Sequence, residues 1–367
     1  MRILICNWRD LKNPEGGGSE RYVETVARGL VKAGHEVTIF CAEHDFAPAN
    51  ETVDGVRFIR HGNKMGVYAH AMLGLWLRRF GPVDLVVDVQ NGLPFFTRLA
   101  TRKPIVVLVH HVHREQWPVV YPGLIGKIGW FIESKVAPLL YRRSKYITVS
   151  NASKAELVEL GVDSERIDVI QNGSEIAVTQ QFAKSEHPQI CVVGRLVPHK
   201  QVEHAIDAVA ELLPRLPNLT LEIVGEGWWH DELVQYAKER GVESQVLFHG
   251  FVDEVEKIKI FESSWLLVLP SLKEGWGIVI TEAAALGTPT VAYRSAGGTT
   301  ESIQDGETGV LVDTREELIS VVGELLEDTN ALHRLGETAK NNSQQHTWLQ
   351  TQTDFTQAIE KANSQST

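Results

Sequence analysis

Cysteine is scarce in this chain, and long apolar runs are missing. The 367 residues include three cysteines, and Cys6, Cys41 and Cys191 each lie in or at the end of a short apolar segment. An odd number of such cysteines is typical of reduced core thiols rather than of a disulfide framework. No stretch of about 18 apolar residues occurs, and the first apolar run is too short for a secretory signal. We therefore expect a cytoplasmic protein without a transmembrane helix.

A surplus of positive charge is also missing. The formal net charge is −11, which argues against a general nucleic-acid-binding protein. Residues 1–175 contain 22 basic and 19 acidic side chains, whereas residues 176–367 contain 14 and 28. Such unevenness favours two separately built halves. The few basic residues of the acidic half therefore stand out.

Short apolar runs alternate with helical patterns along the chain, and the rhythm restarts near residue 190. At roughly 150 residues per domain, the length allows two domains. Alternating strands and helices predict a doubly wound parallel sheet in each of them. We expect a first Rossmann-like domain over residues 1–178, a polar linker at Thr179–Pro188 and a second Rossmann-like domain over residues 186–346.

The patterns also predict individual elements. The predicted strands are Arg2–Cys6, Glu36–Cys41, Val56–Arg60, Leu85–Val89, Ile105–His110, Tyr146–Val149, Ile190–Val193, Thr220–Val224, Val246–Phe248, Leu266–Leu269 and Thr290–Ala292. The clearest predicted helices are Ser19–Ala33, Gln201–Leu213, Trp229–Arg240 and Ile278–Leu286. Doubly wound sheets bind ligands beyond the carboxyl ends of their strands. Two such edges facing one another would form a cleft, which is a favoured place for a ligand.

A glycine-rich loop follows the first predicted strand and opens a helix, reading EGGGSE over residues 15–20. Glycines allow the backbone to approach a ligand closely, and the helix N-terminus offers free N–H groups to an anion. The loop has neither the glycine spacing of a dinucleotide-binding motif nor the lysine of a P-loop. The alternative is a flexible turn in which Ser19 caps the helix.

Two basic residues follow the first predicted strand of the acidic half. Arg195 and Lys200 lie in a strand-to-helix loop that begins with Gly194. Binding of a diphosphate requires fixed positive charge, which arginine supplies as a fork and lysine as a point charge. The alternative is a pair of solvated loop cations.

Two glutamates lie eight residues apart in the segment Pro270–Glu282, the first in a loop and the second in the following helix. If the helix begins near Gly277, its free N–H groups could meet a phosphate while Glu274 reaches a sugar hydroxyl. Glu282 could accept hydrogen bonds from a ribose diol. Taken alone, Glu282 is an ordinary exposed helix residue, but the combined motif is more specific.

Together these motifs resemble those of the retaining glycosyltransferases of family 4, which have the two-domain GT-B fold. The resemblance spans nearly the whole chain, and its most specific part is the glutamate pair together with Arg195 and Lys200. The matching positions are Gly16–Arg21, Thr148–Ser150, Asn172-Gly173, Val193–Leu196, Lys200, Val224–Gly227, His249–Phe251, Glu274, Glu282, Gly297-Gly298, Asp305-Gly306 and Gly309. The segment from Thr347-Trp348 onward resembles the family's final helix, about residues 348–367, which crosses back to the N-terminal domain.

The resemblance implies transfer of a sugar from a nucleotide diphosphate sugar to an acceptor hydroxyl, with retention at the anomeric carbon (EC 2.4 class). Arg195 and Lys200 would bind the donor diphosphate and stabilise its departure, and Glu274 would hold hydroxyls of the donor sugar. Gly17 and Gly18 would face the diphosphate from the first domain. The remaining implied donor-binding positions are Gly194, Glu226, Phe251, Val252, Gly275, Trp276, Gly277, Ile278 and, at the ribose, Glu282.

Two places depart from the family pattern. Trp276 stands where the family commonly has phenylalanine or another smaller residue, so the donor-sugar pocket would differ in shape. The family often has one histidine at a strand end near the sugar, whereas this chain has His110, His111 and His113. By position, His110 is the expected catalytic contact to the donor sugar, with His111 second. The alternatives are structural histidines and a zinc site, for which no cysteine or carboxylate completes the ligand set.

The chain contains no Asp-x-Asp motif, which GT-A glycosyltransferases usually use to hold a divalent cation. Fixed cations and helix N–H groups can stabilise a departing diphosphate without a metal. We therefore expect no metal and no cofactor besides the nucleotide sugar as co-substrate. The alternatives are a sugar-nucleotide epimerase of similar two-domain architecture and a catalytically inactive nucleotide-sugar-binding protein.

The acceptor is expected in the first domain, where family sequences diverge most. Residues 117–146 and Met65–Phe80 are rich in aromatic and basic side chains, and the first of these segments has Glu133 as the one acid among the five cations from Lys127 to Lys145. Such segments suit an anionic lipid surface. The alternative is that the aromatic residues are core and the cations solvated. The acceptor is unknown; a lipid-linked or cell-envelope precursor, and peripheral contact with the inner face of the cell membrane, fit this composition.

Overall fold

The computed structural model describes residues 1–174 and 182–365 and divides into two compact units. The first unit comprises Met1–Asn172 with Trp348–Thr367, and the second comprises Gly173–Thr347. Residues 179–181 of the predicted linker lie outside the described residues. The domain boundaries predicted at residues 178 and 186 stay predictions.

The first unit is built on an eight-stranded sheet. Its strands are β1 (Arg2–Cys6), β2 (Glu36–Cys41), β3 (Asn50–Val53), β4 (Val56–Arg60), β5 (Leu85–Gln90), β6 (Ile105–Val109), β7 (Lys145–Thr148) and β8 (Ile167–Val169). They lie in the order β3-β4-β2-β1-β5-β6-β7-β8, and all neighbours are parallel except β3 and β4. Every residue of β5 and β6 is buried, as expected for parallel strands covered on both faces.

Helices of the first unit connect these strands. They are α1 (Gly18–Lys32), α2 (Gly66–Trp76), α3 (Gln116–Val120), α4 (Leu124–Phe131), α5 (Ala137–Leu140) and α6 (Asn151–Glu159), with a π-helical turn at Ile132–Val136 and 3-10 turns at Thr97–Leu99 and Ser164–Arg166. The C-terminal helix (Trp348–Ser364) packs on α1, where Gln352 Nε2 donates to the carbonyl oxygen of Thr25 at 2.9 Å. An added Cβ at Gly29 would lie 2.6 Å from the Cβ of Gln352. The predicted return of the final helix to the N-terminal domain is confirmed.

The second unit is built on a six-stranded parallel sheet. Its strands are β9 (Gln189–Val193), β10 (Thr220–Val224), β11 (Val246–Gly250), β12 (Leu266–Leu269), β13 (Thr290–Tyr293) and β14 (Gly309–Val312), and its helices are α7 (Glu203–Leu212), α8 (His230–Glu239), α9 (Glu254–Ser263), α10 (Ile278–Ala285), α11 (Thr299–Ser302), α12 (Arg315–Glu327) and α13 (Thr329–Ser343). Short 3-10 helices lie at Pro198–Lys200 and Arg294–Ala296. The strand order is β11-β10-β9-β12-β13-β14. Successive strands are added on one side of β9 up to β11 and on its other side from β12 onward. The boundary between β9 and β12 is therefore the topological switch point, where doubly wound sheets bind ligands.

The predicted pair of doubly wound parallel sheets is confirmed. Three strands were missed because each gives a weak pattern. The edge strand β3 reads NETV and is half exposed, β8 has three residues, and β14 begins at a glycine.

Within residues 1–174 and 182–365, no helix combines the length and the apolarity needed to cross a bilayer. All three cysteines are buried and free, and burial raises the pKa of Cys191 to about 12.

Candidate active site

Glycines set the spacing of the loops at the carboxyl edge of the second sheet. Leu196 N, in the loop after β9, donates to the carbonyl oxygen of Glu226 after β10 at 2.9 Å. An added Cβ at Gly225 would lie 2.0 Å from the carbonyl oxygen of Gly194, and one at Gly227 would lie 2.0 Å from that of Leu196. Since no other residue allows this approach, these glycines hold the loops after β9 and β10 against each other.

Lys200 and Glu274, predicted to bind the diphosphate and the sugar, contact each other directly. Lys200 ends the short helix after β9, and its Nζ lies 2.6 Å from Glu274 Oε1. Leu272 N also donates to the carbonyl oxygen of His199 at 2.9 Å. The loops after β9 and β12, which flank the switch point, therefore bring a cation and a carboxylate together, and Arg195 lies half-buried in the first of these loops.

A second pair of glycines supports the loop that carries Glu274. Glu274 N donates to the carbonyl oxygen of Ala296 at 2.8 Å, and Gly298 N donates to that of Glu274 at 3.1 Å. An added Cβ at Gly298 would lie 2.1 Å from the carbonyl oxygen of Gly275. The Gly297-Gly298 motif thus holds the backbone of the loop at Glu274 in place.

Helix α10 begins directly after Gly277, as predicted. Gly277 has a φ of +84°, a conformation that glycine adopts without strain, and Ile278 opens the helix. Glu282 is 4% exposed, and its Oε1 accepts a hydrogen bond from Lys257 Nζ at 3.1 Å. Burial and a cationic partner distinguish Glu282 from an ordinary solvated helix residue.

The loops after β10 and β11 present aromatic side chains beside a carboxylate. Phe251 N donates to Glu226 Oε1 at 3.4 Å, the Phe251 side chain is 80% exposed, and Val252 packs on the core. Trp228, which sequence reasoning did not select, is 61% exposed in the same loop as Glu226. Exposed aromatic rings provide a stacking surface for a flat ligand.

Trp276, predicted to be a donor-binding residue that shapes the sugar pocket, is buried in the second unit. It is 1% exposed, and its ring meets that of His346 edge-on with centroids 5.2 Å apart. Among the described residues, its Nε1 and the Oγ of buried Ser271 have no hydrogen-bond partner. The indole therefore packs inside the second unit, where it supports the loop from within.

In the first unit, the predicted glycine loop caps α1 through a glutamate. Gly17 is the N-cap, and its N–H donates to Glu20 Oε2 at 2.8 Å. Ser19 does not cap the helix as the alternative supposed, since its Oγ donates to Glu20 Oε2 at 2.9 Å. Glu20 is fully buried, with Arg9 Nη2 at 3.5 Å from its Oε1. The backbone from Gly17 to Gly18 is thereby held at the helix start.

His110 follows β6 and is 6% exposed. Its ring meets Tyr22 edge-on at 5.3 Å, and its backbone oxygen accepts a hydrogen bond from Ser153 Oγ at 3.1 Å. Burial lowers the pKa of His110 to about 4, so the ring is neutral at neutral pH. Its buried Nε2 has no hydrogen-bond partner among the described residues.

The other two histidines have partners of their own. His111 Nε2 lies 3.3 Å from Gln116 Oε1, and His113 Nδ1 lies 3.0 Å from Glu133 Oε1. The two rings stack with centroids 4.3 Å apart. In the described ranges, no group of three His, Cys, Asp or Glu side chains is arranged to hold a metal ion.

Sequence reasoning missed several polar residues at the carboxyl edge of the first sheet. Asn7 follows β1, Gln90 ends β5 and Asn91 comes next. Asn7 Oδ1, Gln90 Oε1 and Asn91 Nδ2 are buried atoms without a hydrogen-bond partner in the described ranges. Since buried polar atoms are nearly always paired, these three atoms are available to a hydrogen-bonding ligand or to water. Their position directly after apolar strands was the signal that could have found them.

A buried lysine next to Glu274 was also missed. Lys273 is 6% exposed, and an added Cβ at Gly297 would lie 3.2 Å from its Nζ. Burying lysine is costly unless its ammonium group is compensated. Lys273 thus places a second lysine in the loop after β12 that carries Glu274, in addition to Arg195 and Lys200 in the loop after β9.

Two family models match consecutive parts of the chain. The model described as Glycosyltransferase Family 4 matches residues 16–177, and the model described as Glycosyl transferases group 1 matches residues 174–342. The first match includes the glycine loop of α1. The second includes both predicted cations and both predicted glutamates.

Known proteins are similar along most of the chain. The glycogen synthase of Mycobacterium tuberculosis is 29% identical over 93% of this chain and 89% of its own. The GDP-mannose-dependent alpha-(1-6)-phosphatidylinositol monomannoside mannosyltransferase of Mycolicibacterium smegmatis is 28% identical over 88% of this chain and 89% of its own. The solved structure of sucrose-phosphate synthase from Thermosynechococcus elongatus has a TM-score of 0.82 at 19% identity, with 98% of both chains covered, and supports the fold.

These relatives are named as enzymes that transfer glycosyl groups, which fits the predicted transferase and not the epimerase or the inactive binding protein. The two model matches together run from residue 16 to residue 342. They coincide with two doubly wound units, the second of which carries the predicted cations and glutamates. The chain is therefore a nucleotide-sugar-dependent glycosyltransferase that belongs to glycosyltransferase family 4, with the GT-B fold.

Proposed function

We propose that this enzyme retains the anomeric configuration, needs no metal ion, and binds the donor in its second unit and the acceptor in its first. The observation that carries the donor site is the contact between Lys200 Nζ and Glu274 Oε1 at 2.6 Å. It lies at the switch point of the second sheet, and it joins the loop after β9, which also holds Arg195, to the loop after β12, which leads into α10.

The pair suggests how a donor is held. A nucleotide sugar that occupies this site must divide the pair, because each side chain is the other's partner. The diphosphate takes the ammonium group of Lys200 together with the guanidinium group of Arg195, and hydroxyls of the sugar take the carboxylate of Glu274. The backbone of Gly275–Ile278 adds N–H groups at the start of α10.

The reaction needs stabilisation of charge as the donor breaks. The acceptor hydroxyl attacks the anomeric carbon on the face from which the nucleoside diphosphate leaves, and its proton passes to the leaving phosphate oxygen. The bond from the anomeric carbon to that oxygen breaks, and its electron pair goes to the diphosphate. Arg195 and Lys200 stabilise the departing anion by fixed charge. His110, neutral and buried, contacts the donor sugar in this proposal.

The remaining predicted residues have supporting roles. Glu226, Phe251 and Val252, with the newly selected Trp228, border the base, and Glu282 binds the ribose. Gly194 sets the start of the phosphate loop, and Gly17 and Gly18 supply backbone on the side of the first unit. Trp276 influences the donor-sugar pocket through the shape of the loop between β12 and α10, which also carries Glu274.

The acceptor is proposed to bind at the carboxyl edge of the first sheet. Asn7 Oδ1, Gln90 Oε1 and Asn91 Nδ2, buried and without a partner among the described residues, suit hydroxyl groups. The mannosyltransferase from Mycolicibacterium smegmatis is named for a phosphatidylinositol monomannoside acceptor. The similarity to that enzyme supports a lipid-linked acceptor and peripheral attachment to a membrane.

A donor screen followed by product analysis tests the proposal. Nucleoside diphosphates and sugar nucleotides are compared for the rise that each produces in the melting temperature, since a ligand that binds the folded state stabilises it. The best donor is then incubated with candidate acceptors, and NMR of the product gives the anomeric configuration. An inverted product, or an epimerised sugar nucleotide without transfer, would contradict the proposal.

Chelation tests metal independence. Excess EDTA is expected to leave the initial transfer rate unchanged within about twofold, because fixed cations and helix N–H groups stabilise the diphosphate. Rates are measured before and after chelation, with magnesium returned to a parallel sample as the control. Loss of all activity with EDTA and its recovery with magnesium would rule the idea out.

Removal of the Glu282 carboxylate tests the ribose site. Glu282→Gln is expected to raise the donor KM by about tenfold with little change in kcat, which is the scale of one charge-assisted hydrogen bond. Glu254→Gln is the matched control, because Glu254 pairs with the same Lys257 Nζ at 3.1 Å but is exposed. Equal KM values for the two variants would argue against a ribose contact.

A further inference from the structure

Helix α4 presents its apolar side chains outward. An ordinary surface helix turns its large apolar residues toward the core, whereas α4 turns glycines inward. Gly126 and Gly129 are its buried residues. Its exposed residues include four large apolar side chains, with exposed fractions of 72% for Leu124, 68% for Ile125, 50% for Ile128 and 58% for Phe131.

Trp117 explains why these side chains point outward. An added Cβ at Gly129 would lie 2.3 Å from the ring of Trp117, and one at Gly126 would lie 2.2 Å from the carbonyl oxygen of Tyr121. Trp117 is itself fixed, since its Nε1 donates to Glu133 Oε2 at 2.6 Å. At Gly126 and Gly129 the inner side of α4 therefore has room for glycine only. Trp130 packs on the core, whereas the four large apolar side chains named above lie in solvent.

The charges of this segment are sorted in the same way. Glu133, the acid between Lys127 and Lys145, is fully buried and pairs with Trp117 and His113. Lys127 and Lys135 are exposed, as are Arg142 and Arg143 after α5. The outer face of α4 and the following turn thus combines apolar side chains with positive charge only.

We infer that this outer face, formed by Leu124, Ile125, Lys127, Ile128, Phe131 and Lys135, docks on the surface of an anionic lipid bilayer. The apolar side chains enter the boundary between headgroups and acyl chains, and the lysines contact anionic headgroups. The inference names the surface that the proposed lipid-linked acceptor would need, but it does not depend on the transfer reaction.

Charge and size favour a bilayer over a second copy of the chain. Two copies joined through this face would bring the lysines of one face against those of the other. Four apolar side chains also cover far less than the roughly 800 Å² per partner of a standard interface. Reversible membrane contact needs only a few inserted side chains together with basic residues, each of which contributes about fivefold in partitioning.

Vesicle flotation of the full chain tests the inference. We expect the protein to float with vesicles of zwitterionic lipid containing about 30% anionic phospholipid at low salt, and to be released at high salt. Ile128→Ser with Phe131→Ser, and separately Lys127→Glu with Lys135→Glu, should each lower the bound fraction by at least about tenfold. Leu349→Ser is the control, since Leu349 is 71% exposed on the C-terminal helix of the same unit and should not alter flotation.

Each outcome of the flotation experiment either supports or overturns docking on the bilayer. Failure of the parent protein to float, or flotation of both double variants like the parent, overturns the inference. Light scattering is run in parallel, and an oligomer that the same variants dissociate would assign the face to a second copy instead. Melting temperatures confirm that the variants are folded, as expected for changes of exposed side chains. Flotation uses neither donor nor acceptor, so its failure and a failure of the proposed transfer are separate results.

Discussion

Lys200→Ala is expected to lower kcat at saturating donor by about 10²-fold or more, with Arg195→Ala similar in size. Removal of one preformed charge that stabilises a developing anion has this effect in other enzymes. The departing diphosphate is the anion here, and both cations lie in the loop after β9. The measurement is the initial rate of transfer for each variant, with exposed Lys238→Ala on α8 as the matched control.

The pairing of Lys200 with Glu274 makes the two residues energetically coupled. The Glu274 side chain is 11% exposed, so Lys200→Ala leaves a largely buried carboxylate without this partner and should also lower the melting temperature. Glu274→Gln, and the double variant, complete a cycle in which the effects on kcat should not add. Full activity in both cation variants would show that the diphosphate binds elsewhere.

The second large effect concerns pH. Relative to a His110→Gln variant, the parent protein is expected to lose up to about 3 kcal/mol of unfolding free energy as the pH falls from 6.5 to 4. The folded protein holds the pKa of His110 at about 4, chiefly because the ring is buried, with nearby Glu20 opposing the shift and His113 adding to it. The unfolded chain accepts the proton near pH 6.5, so acid favours unfolding.

Urea denaturation of both proteins at pH 7 and pH 4.5 measures this effect. The unfolding free energy of the parent minus that of the variant should be constant above pH 6.5 and should decrease as the pH falls from 6.5 to 4. Buried Asp88 has a raised pKa but is present in both proteins and cancels. Exposed His333→Gln serves as the control. A difference that stays constant with pH would contradict the assignment of a buried neutral ring.

The residue types next to each predicted strand were sufficient to predict the loops that follow the strands. The start of α10 near Gly277 was predicted from a glycine-rich loop followed by a helical pattern, and the structure gives Gly277 a positive φ that glycine adopts without strain. Local reasoning also offered an alternative in which Ser19 caps α1, and this alternative was wrong. Gly17 holds that place, because buried Glu20, near Arg9, reaches back to its N–H group. A capping rule considers one turn, but the partner here depends on burial.

The environment of single side chains could not be obtained from the sequence. The sequence placed Trp276 among the donor-binding residues, but it did not show that the ring packs against His346 from a distant part of the chain. The outward direction of Phe131 was equally hidden, since it follows from the space that Trp117 occupies beneath Gly129. Periodicity shows which residues share a face of a helix, but it does not show whether that face meets the core or the solvent.

By itself, the sequence determined two parallel doubly wound sheets, because buried parallel strands need short continuous apolar runs separated by helices. It also determined which loops carry charge, since polar residues and glycines directly follow those runs. Only the tertiary structure decided that Lys200 meets Glu274, and that Asn7 Oδ1 and Gln90 Oε1 are buried without a hydrogen-bond partner among the described residues. Such contacts depend on strand order, which brings together loops that are far apart in the chain at one edge of a sheet.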